Sequence, residues 1–278
     1  MVISDKGEYP VSCLIGFIGC GNMGGALASA VCEIVGRENV YISGKNQDKL
    51  SETAKKLGVI KSTNEEIIKK CKFVFLGVKP QMLNDVITPL AQYIKERKDD
   101  IVLISMAAGV SLEKICLMAG ESVPAIRIMP NTPVAVGEGV VLYCTNSKVK
   151  DADEKTFLDF MASAGLVDHI DEKLIDAASA VSGCGPAFAY MFMEALSDGA
   201  VECGLPREKA LKYASQMLLG SAKLLQKTGE HPGKLKDNVC SPGGSTIKGV
   251  HALENNGFRN GVIDAVKASY ERTVELGK

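Results

Sequence analysis

Between Cys13 and Gly24 the chain reads CLIGFIGCGNMG, and no other stretch limits the fold as tightly. Cys13-Leu14-Ile15-Gly16-Phe17-Ile18 is a short, nearly unbroken apolar run, the pattern of a strand buried on both faces of a parallel sheet. Gly19-Cys20-Gly21-Asn22-Met23-Gly24 follows as G-x-G-x-x-G, and an Ala-rich helical run continues through Ala26, Ala28, Ala30 and Val31. Strand, glycine turn and helix in that order are the setting in which such a motif holds a pyrophosphate at the helix N-terminus. Gly19 permits the tight turn, Gly21 clears room for the phosphates, and Gly24 lets helix and strand pack. A bland Gly-rich turn could carry the same letters; the flanking elements decide for a dinucleotide site.

The same alternation continues. Strands are expected at 40–43, 73–78 and 101–105, with a helix over 49–57, a polar loop and short helix over 63–71, and a helix over 81–94 after Pro80. Ser111 is a natural cap for a further short helix. Two more β-like runs, 125–129 and 139–144, flank a Pro-rich turn. This βαβ rhythm predicts an α/β fold, a doubly wound parallel sheet of the Rossmann type.

After about Asp171 the pattern turns wholly helical. Leu211, Ala214, Leu218, Ala222 and Leu225 mark one apolar face, with Pro206 where a first-turn proline belongs. Residues 188–196 are apolar nearly all round, apart from Glu194. Such a helix needs cover on every side, more than about a hundred residues provide, so the prediction is an obligate homodimer with C2 symmetry. Glu194, Asp198 and Glu202 recur every fourth residue; with no His or third helix beside them, they read as a solvated face and not a metal site. The division expected is a short extension over 1–12, a Rossmann NAD(P)-binding domain over 13–170, and an all-helical dimerisation and substrate domain over 171–278.

Composition excludes several classes. The net charge of −1, with no basic block, gives no footing to nucleic acid or an anionic membrane as partner. No apolar run approaches transmembrane length, and the first residues, with Asp5, Lys6 and Glu8, lack the character of a signal peptide. The nine cysteines are scattered without a C-x-x-C pair, which favours reduced thiols in a cytoplasmic protein.

An acidic residue about twenty positions beyond the glycines usually holds the ribose hydroxyl of NAD. Here that place reads Ser43-Gly44-Lys45-Asn46, while Glu38 lies at the wrong end of the strand and Asp48 reads as a cap for the next helix. A hydroxyl, an ammonium and an amide suit a 2′-phosphate, so NADPH is favoured over NADH; a merely solvated Lys45 is the alternative. Val78-Lys79-Pro80 and Ala107-Ala108 follow buried strands and should line the cofactor crevice. Lys79 stands there as a candidate contact to substrate or cofactor, or as an exposed turn residue. Met129-Pro130-Asn131-Thr132-Pro133 is a rigid turn in which two prolines bracket an amide and a hydroxyl; a merely structural crossover is the alternative. In the helical half, Pro242-Gly243-Gly244 makes a turn and Ser245-Thr246 open a helix, whose free N–H groups suit a small carboxylate; a plain N-cap is the alternative, though the small-residue run is longer than a cap requires. No His-Asp or Lys-Glu pair accompanies these turns. A ketone reductase wants a proton donor, whereas an iminium arrives already protonated, so the pattern is compatible with imine reduction.

FIGCGNMG, FLGVKPQ, SMAAGVSL, RIMPNTPVAVGEG, SGCGPAFAYMFMEALSDGAVECGLPR and EHPGKLKDNVCSPGGSTIKGVHALE, in that order, resemble pyrroline-5-carboxylate reductases from about Cys13 to the C-terminus. The SPGG-x-T-I and RIMPNTP blocks are far more specific than the nucleotide fingerprint. The resemblance implies reduction of the cyclic imine Δ1-pyrroline-5-carboxylate to L-proline by NAD(P)H, the last step of proline biosynthesis. It implies that Gly19, Cys20, Gly21, Asn22, Met23 and Gly24 hold the pyrophosphate, with Ser43, Lys45 and Asn46 around the 2′-phosphate. Asn64 is implied to touch the cofactor, with Val78, Lys79, Pro80, Ala107 and Ala108 on the nicotinamide side. Asn238, Gly243, Gly244, Ser245 and Thr246 are implied to grip the substrate carboxylate, Thr246 lying near the ring nitrogen. Thr246 and Lys79 are the catalytic candidates. The resemblance further implies an interlocked dimer, dimers assembled into a decamer, and a substrate pocket completed across the dimer interface.

Three departures stand out. Cys184 replaces the second Ser of SGSGPA, a near-isostere that donates more weakly. Lys248 adds charge at a position usually small or neutral. Lys45 stands where many relatives carry Arg nearby, giving a point charge without bidentate geometry. Two other readings remain: a related NADP-dependent reductase of another small imino or oxo acid, and a catalytically silent NADP-binding sensor. The intact SPGG-x-T run counts against the sensor.

Overall fold

The apolar run after Cys13 forms strand β1 (Ile15–Ile18) of the computed structural model, which describes residues 13–120 and 123–276. The extension expected over 1–12 lies outside the described residues. The chain continues through α1 (Asn22–Val35), β2 (Val40–Ser43), α2 (Gln47–Leu57), β3 (Ile60–Lys61), α3 (Asn64–Lys70) and β4 (Phe73–Leu76). Next come α4 (Pro80–Ile87), α5 (Ala91–Lys95), β5 (Val102–Ser105), α6 (Leu112–Met118), β6 (Ala125–Pro130), β7 (Gly139–Thr145), α7 (Asp151–Met161), β8 (Gly165–His169) and α8 (Ile175–Ser182). Among the described residues every later regular element is a helix: α9 (Gly185–Glu202), α10 (Arg207–Thr228), α11 (Pro232–Asn238), α12 (Ser245–Asn255) and α13 (Phe258–Leu276).

The strands form one sheet in the order β3-β2-β1-β4-β5-β6-β7-β8. Strand direction along the chain explains the continuous apolar runs. Phe17, Phe73 and Phe75 pack on one face with Leu27, Val31, Phe157 and Phe160. Ile18, Val74 and Leu76 pack on the other with Ile67, Leu83 and Ile115. Phe17 and Phe75 stack at 4.3 Å between ring centroids, and Phe160 meets Phe73 edge-on. Covered on both faces, these strands have no position for a polar alternation.

The sheet departs from full parallel order in one place. β6 and β7 run antiparallel, with Arg127 opposite Cys144, while the other neighbours are parallel. The stretch from Asn131 to Glu138 that joins them holds a 3₁₀ turn and is too short for a crossover helix. β3 and β8 add two strands that the apolar pattern did not indicate, the first because it is two residues long and the second because Leu166 and Asp168 are exposed.

Three helix boundaries also shift. The helix expected over 81–94 is broken into α4 and α5 by a 3₁₀ turn at Thr88–Leu90, where Pro89 has no N–H to continue the ladder. Helix α2 begins two residues early, capped by Asn46, whose side chain accepts from Lys49 N at 3.0 Å; Asp48 lies in its first turn and is not the cap. Pro206 stands at the N-cap of α10, one place ahead of its first turn.

The described residues group into two compact units, 13–183 with 270–276, and 184–269. The first unit takes in α8, whose Ile175 is buried in a cluster with Met129 and Leu142.

Candidate active site

Strand order reverses between β1 and β4, and ligands of open α/β sheets bind outside the carboxyl ends of the strands at such a point. The glycine loop sits there. Gly19 adopts φ +91°, and a Cβ on it would meet Val78 Cγ1 at 2.7 Å. Gly19 N and Cys20 N donate to the Ser43 carbonyl at 3.0 and 3.1 Å, which ties the loop to the end of β2. A Cβ on Gly24 would lie 2.7 Å from Gly19 O, so α1 packs against the loop only through glycine. Gly21 differs: beyond its chain neighbours, no protein atom lies within 4 Å of a Cβ built on it. The fold leaves that space open beside the first-turn N–H groups of α1, as a pyrophosphate requires. Burial pushes the Cys20 thiol up to about 11, so no thiolate faces the anion. These residues fit a dinucleotide.

Gly19, Ser43, Lys45, Asn64 and Val78 line one cleft of about 680 Å³. A separate recess of about 390 Å³ runs along Cys20, Gly21, Asn22 and Gly25. Ser43 is buried, and its hydroxyl donates to Asn64 Oδ1 at 2.6 Å, so it holds Asn64 in place more than it offers a proton to a ligand. Asn46 spends its side-chain oxygen on capping α2. Lys45 is exposed in the cleft. The same cleft is lined by Gly44, Lys61, Met82 and Val86, for which the sequence carries no signal.

Lys79 is exposed at the N-cap of α4, with no cap bond from its side chain, and Pro80 opens that helix. Ala107 is buried, with its N–H 3.3 Å from Ser105 Oγ, and Ala108 follows it at the carboxyl end of β5, beside β4. Downstream, Glu172 Oε1 accepts from the Leu112 N–H at 2.7 Å and so holds the start of α6, while lying 3.5 Å from Arg127 Nη1. Arg127 is buried and also bonds Asp176 at 2.5 Å. Neither pairing is visible in the sequence. Asn131 settles the Pro-rich turn as structural at that residue: it donates to the Ser182 carbonyl at 2.9 Å and accepts from Val140 N at 2.8 Å.

In the helical unit, Asn238 ends α11 and is exposed. Gly243 adopts φ +69°, Gly244 is the N-cap of α12, and Ser245 and Thr246 are its first two residues, both exposed. No side chain caps this helix, so its first N–H groups are unclaimed donors. Glu194 and Glu202 are exposed, and Asp198 pairs with Arg207 at 2.5 Å. Among the described residues no group of three or more His, Cys, Asp or Glu is placed to hold a metal ion. All nine cysteines are free thiols.

The sheet and its glycine loop define a dinucleotide-binding protein of the Rossmann class, and the matches to known families make it an NAD(P)-dependent oxidoreductase. Residues 14–109 match the family model described as NADP oxidoreductase coenzyme F420-dependent, and residues 172–276 match the one described as pyrroline-5-carboxylate reductase dimerisation. The chain is 37% identical over 267 residues to the pyrroline-5-carboxylate reductase of Escherichia coli (strain K12), covering 95% of this chain and 98% of that protein. It is 39% identical to pyrroline-5-carboxylate reductase 2 of Rattus norvegicus, covering 94% of this chain and 83% of that protein. The crystal structure of the Plasmodium falciparum pyrroline carboxylate reductase with NADP bound superposes with a TM-score of 0.85 at 36% identity, covering 96% of this chain and 98% of that one. The chain belongs to the pyrroline-5-carboxylate reductase family.

Proposed function

We propose that this protein reduces Δ1-pyrroline-5-carboxylate to L-proline, the last step of proline biosynthesis, and prefers NADPH to NADH. The match along 94–95% of the chain to reductases of that name carries the reading. Reduced nicotinamide, when bound, supplies the hydride that adds to the imine carbon. The protein's part is to bind, orient and exclude water. Gly19 to Gly24 receive the pyrophosphate, and Ser43 holds Asn64 towards the adenosine side, with Lys45 and Asn46 at the 2′-phosphate. Val78, Lys79, Pro80, Ala107 and Ala108 form the nicotinamide-side turns. The N–H groups of Ser245 and Thr246 bind the substrate carboxylate, with Asn238, Gly243 and Gly244 shaping the turn, where the Gly244 N–H donates to the Ser241 carbonyl at 3.0 Å. The Thr246 hydroxyl accepts the N–H of the iminium and fixes the ring. As the C=N π electrons move onto nitrogen, its positive charge is neutralised, so no general acid is needed at that step.

The assignment also covers assembly and location. Tyr190, Met191, Leu211 and Tyr213 are exposed on α9 and α10, and in the helical unit only Ser197, Ala210 and Ala214 are fully buried among the described residues. Apolar surface of that extent calls for a partner, and the dimerisation-family match over 172–276 supports a second copy. We assign an interlocked dimer over 171–278, dimers building a decamer, in the cytoplasm. No described helix is long and apolar enough to cross a membrane.

Two measurements test the reading. Absorbance at 340 nm should fall only when pyrroline-5-carboxylate is added, with proline as product and a higher kcat/KM for NADPH than for NADH. Folded protein that binds NADPH yet turns nothing over would overturn the substrate assignment. Gly21→Ala should unfold at nearly the wild-type temperature, because its Cβ enters open space at φ −81°. It should still weaken NADPH binding by about tenfold or more, since that space belongs to the phosphates. Unchanged affinity would remove Gly21 from the site.

A further inference from the structure

We infer that Lys61 is a second cation for the cofactor 2′-phosphate and sets the preference for NADPH together with Lys45. The inference rests on the 2′-phosphate reading of residues 43–46 given above. Lys61 is the last residue of β3, opposite Ile42 in the parallel register with β2, and therefore beside Ser43. It lines the same cleft as Ser43, Gly44, Lys45 and Asn64. Its Nζ donates to Ser51 Oγ at 3.0 Å, and Ser51 passes its own proton to the Gln47 carbonyl at 2.7 Å. That chain fixes the ammonium against α2 and leaves two of its three N–H groups to donate elsewhere.

Charge accounting points the same way. A phosphate monoester carries about −1.5 to −2 at neutral pH, more than one lysine neutralises. The groups first expected there are partly committed: the Ser43 proton goes to Asn64, and the Asn46 oxygen goes to the cap of α2. Lys45 and Lys61 line the cleft, and neither meets a carboxylate among the described residues. The carboxylates on that wall are otherwise employed. Glu66 accepts from Ser62 at 2.8 Å and lies 3.7 Å from Lys70, and Glu65 answers the dipole at the start of α3. Two ammonium groups without a carboxylate partner, lining one cleft with Ser43, suit a dianion.

A purely structural reading, in which Lys61 only pins β3 to α2, makes different predictions. Lys61→Gln keeps a donor for Ser51 and removes the charge, while Lys61→Arg keeps the charge. The test compares kcat/KM for NADPH and NADH in wild type and both variants, with calorimetric titration of adenosine 2′,5′-bisphosphate and of AMP. In Lys61→Gln the NADPH/NADH ratio should fall about tenfold, through the KM for NADPH and not kcat. Affinity for the bisphosphate should fall by a like factor relative to AMP, and Lys61→Arg should restore most of both. Equal losses for the two cofactors, or an unaltered ratio, would overturn the inference while leaving the 2′-phosphate reading intact. Wild-type protein that binds the bisphosphate no more tightly than AMP would overturn that reading and the inference with it.

Discussion

Arg127→Met is expected to lower stability by about 3 kcal/mol, the low end of the range for breaking a buried ion pair. The guanidinium is buried, and it faces two carboxylates, Asp176 at 2.5 Å and Glu172 at 3.5 Å. Removing it leaves both acids short of their counter-charge in a partly covered site. Their side chains retain 24% and 34% exposure, so solvent offsets part of the loss and the upper end of the range is not reached. Arg127 Nε already lacks a hydrogen-bond partner, so the wild-type cluster is held by the two Nη contacts alone. The effect should spread beyond stability. Glu172 also accepts from the Leu112 N–H at 2.7 Å, and α6 starts just after the Ala107-Ala108 turn. Urea denaturation at one fixed protein concentration is the measurement, because the stability of an oligomer depends on concentration. The double variant Arg127→Met, Asp176→Leu should recover part of the loss, since it strands one carboxylate, Glu172, instead of two. An unchanged urea midpoint in the single variant would show that the ion pair adds no stability.

The contrast between Arg127 and Phe75 explains which parts of the structure the sequence disclosed. Phe73-Val74-Phe75-Leu76 is legible because burial on both faces of a strand writes itself locally, as an unbroken apolar run. The glycine loop is legible for a related reason: Gly24 meets the Gly19 carbonyl five residues away and Gly19 takes φ +91°, a local conformation that favours glycine, although the atoms a Cβ on Gly19 would meet belong to Gly77 and Val78. The Arg127 cluster is not local. Its partners lie 45 and 49 positions downstream, and nothing in RIMPNTP names Glu172 or Asp176. The same holds for Ser43 and Asn64, both assigned to the cofactor, whose bond to each other gives Ser43 a supporting part. Asn46 was legible as polar and near the phosphate, but its use as a cap depended on α2 starting at Gln47. Lys61 carries no such local signal, because β3 is too short to register as a strand and only the sheet brings it beside Ser43. Sequence pattern therefore located the elements and the loops, and the tertiary hydrogen bonds redistributed roles among the side chains on them.

Thr246→Ala should lower kcat by about a hundredfold or more, the loss typical of removing one hydrogen-bonding group that acts at the reacting centre. NADPH affinity should stay within about twofold of wild type, since orientation of the ring and not cofactor binding is at stake. The position makes the test clean. Thr246 lies in the first turn of α12, is exposed, and its side chain caps nothing, so alanine is tolerated by the helix and the fold has no evident stake in the hydroxyl. Thr246→Ser keeps an oxygen at the same carbon and should retain most of the activity. Steady-state rates with pyrroline-5-carboxylate, read beside a fluorescence titration of NADPH, separate the possibilities. A fall in kcat and in kcat/KM alike would identify an interaction that matters only as the hydride moves. A rise in KM with kcat preserved would instead make Thr246 an anchor for the ground state, leaving the backbone N–H groups of Ser245 and Thr246 to do the orienting. Equal loss of turnover and of NADPH affinity would remove Thr246 from the ring nitrogen altogether.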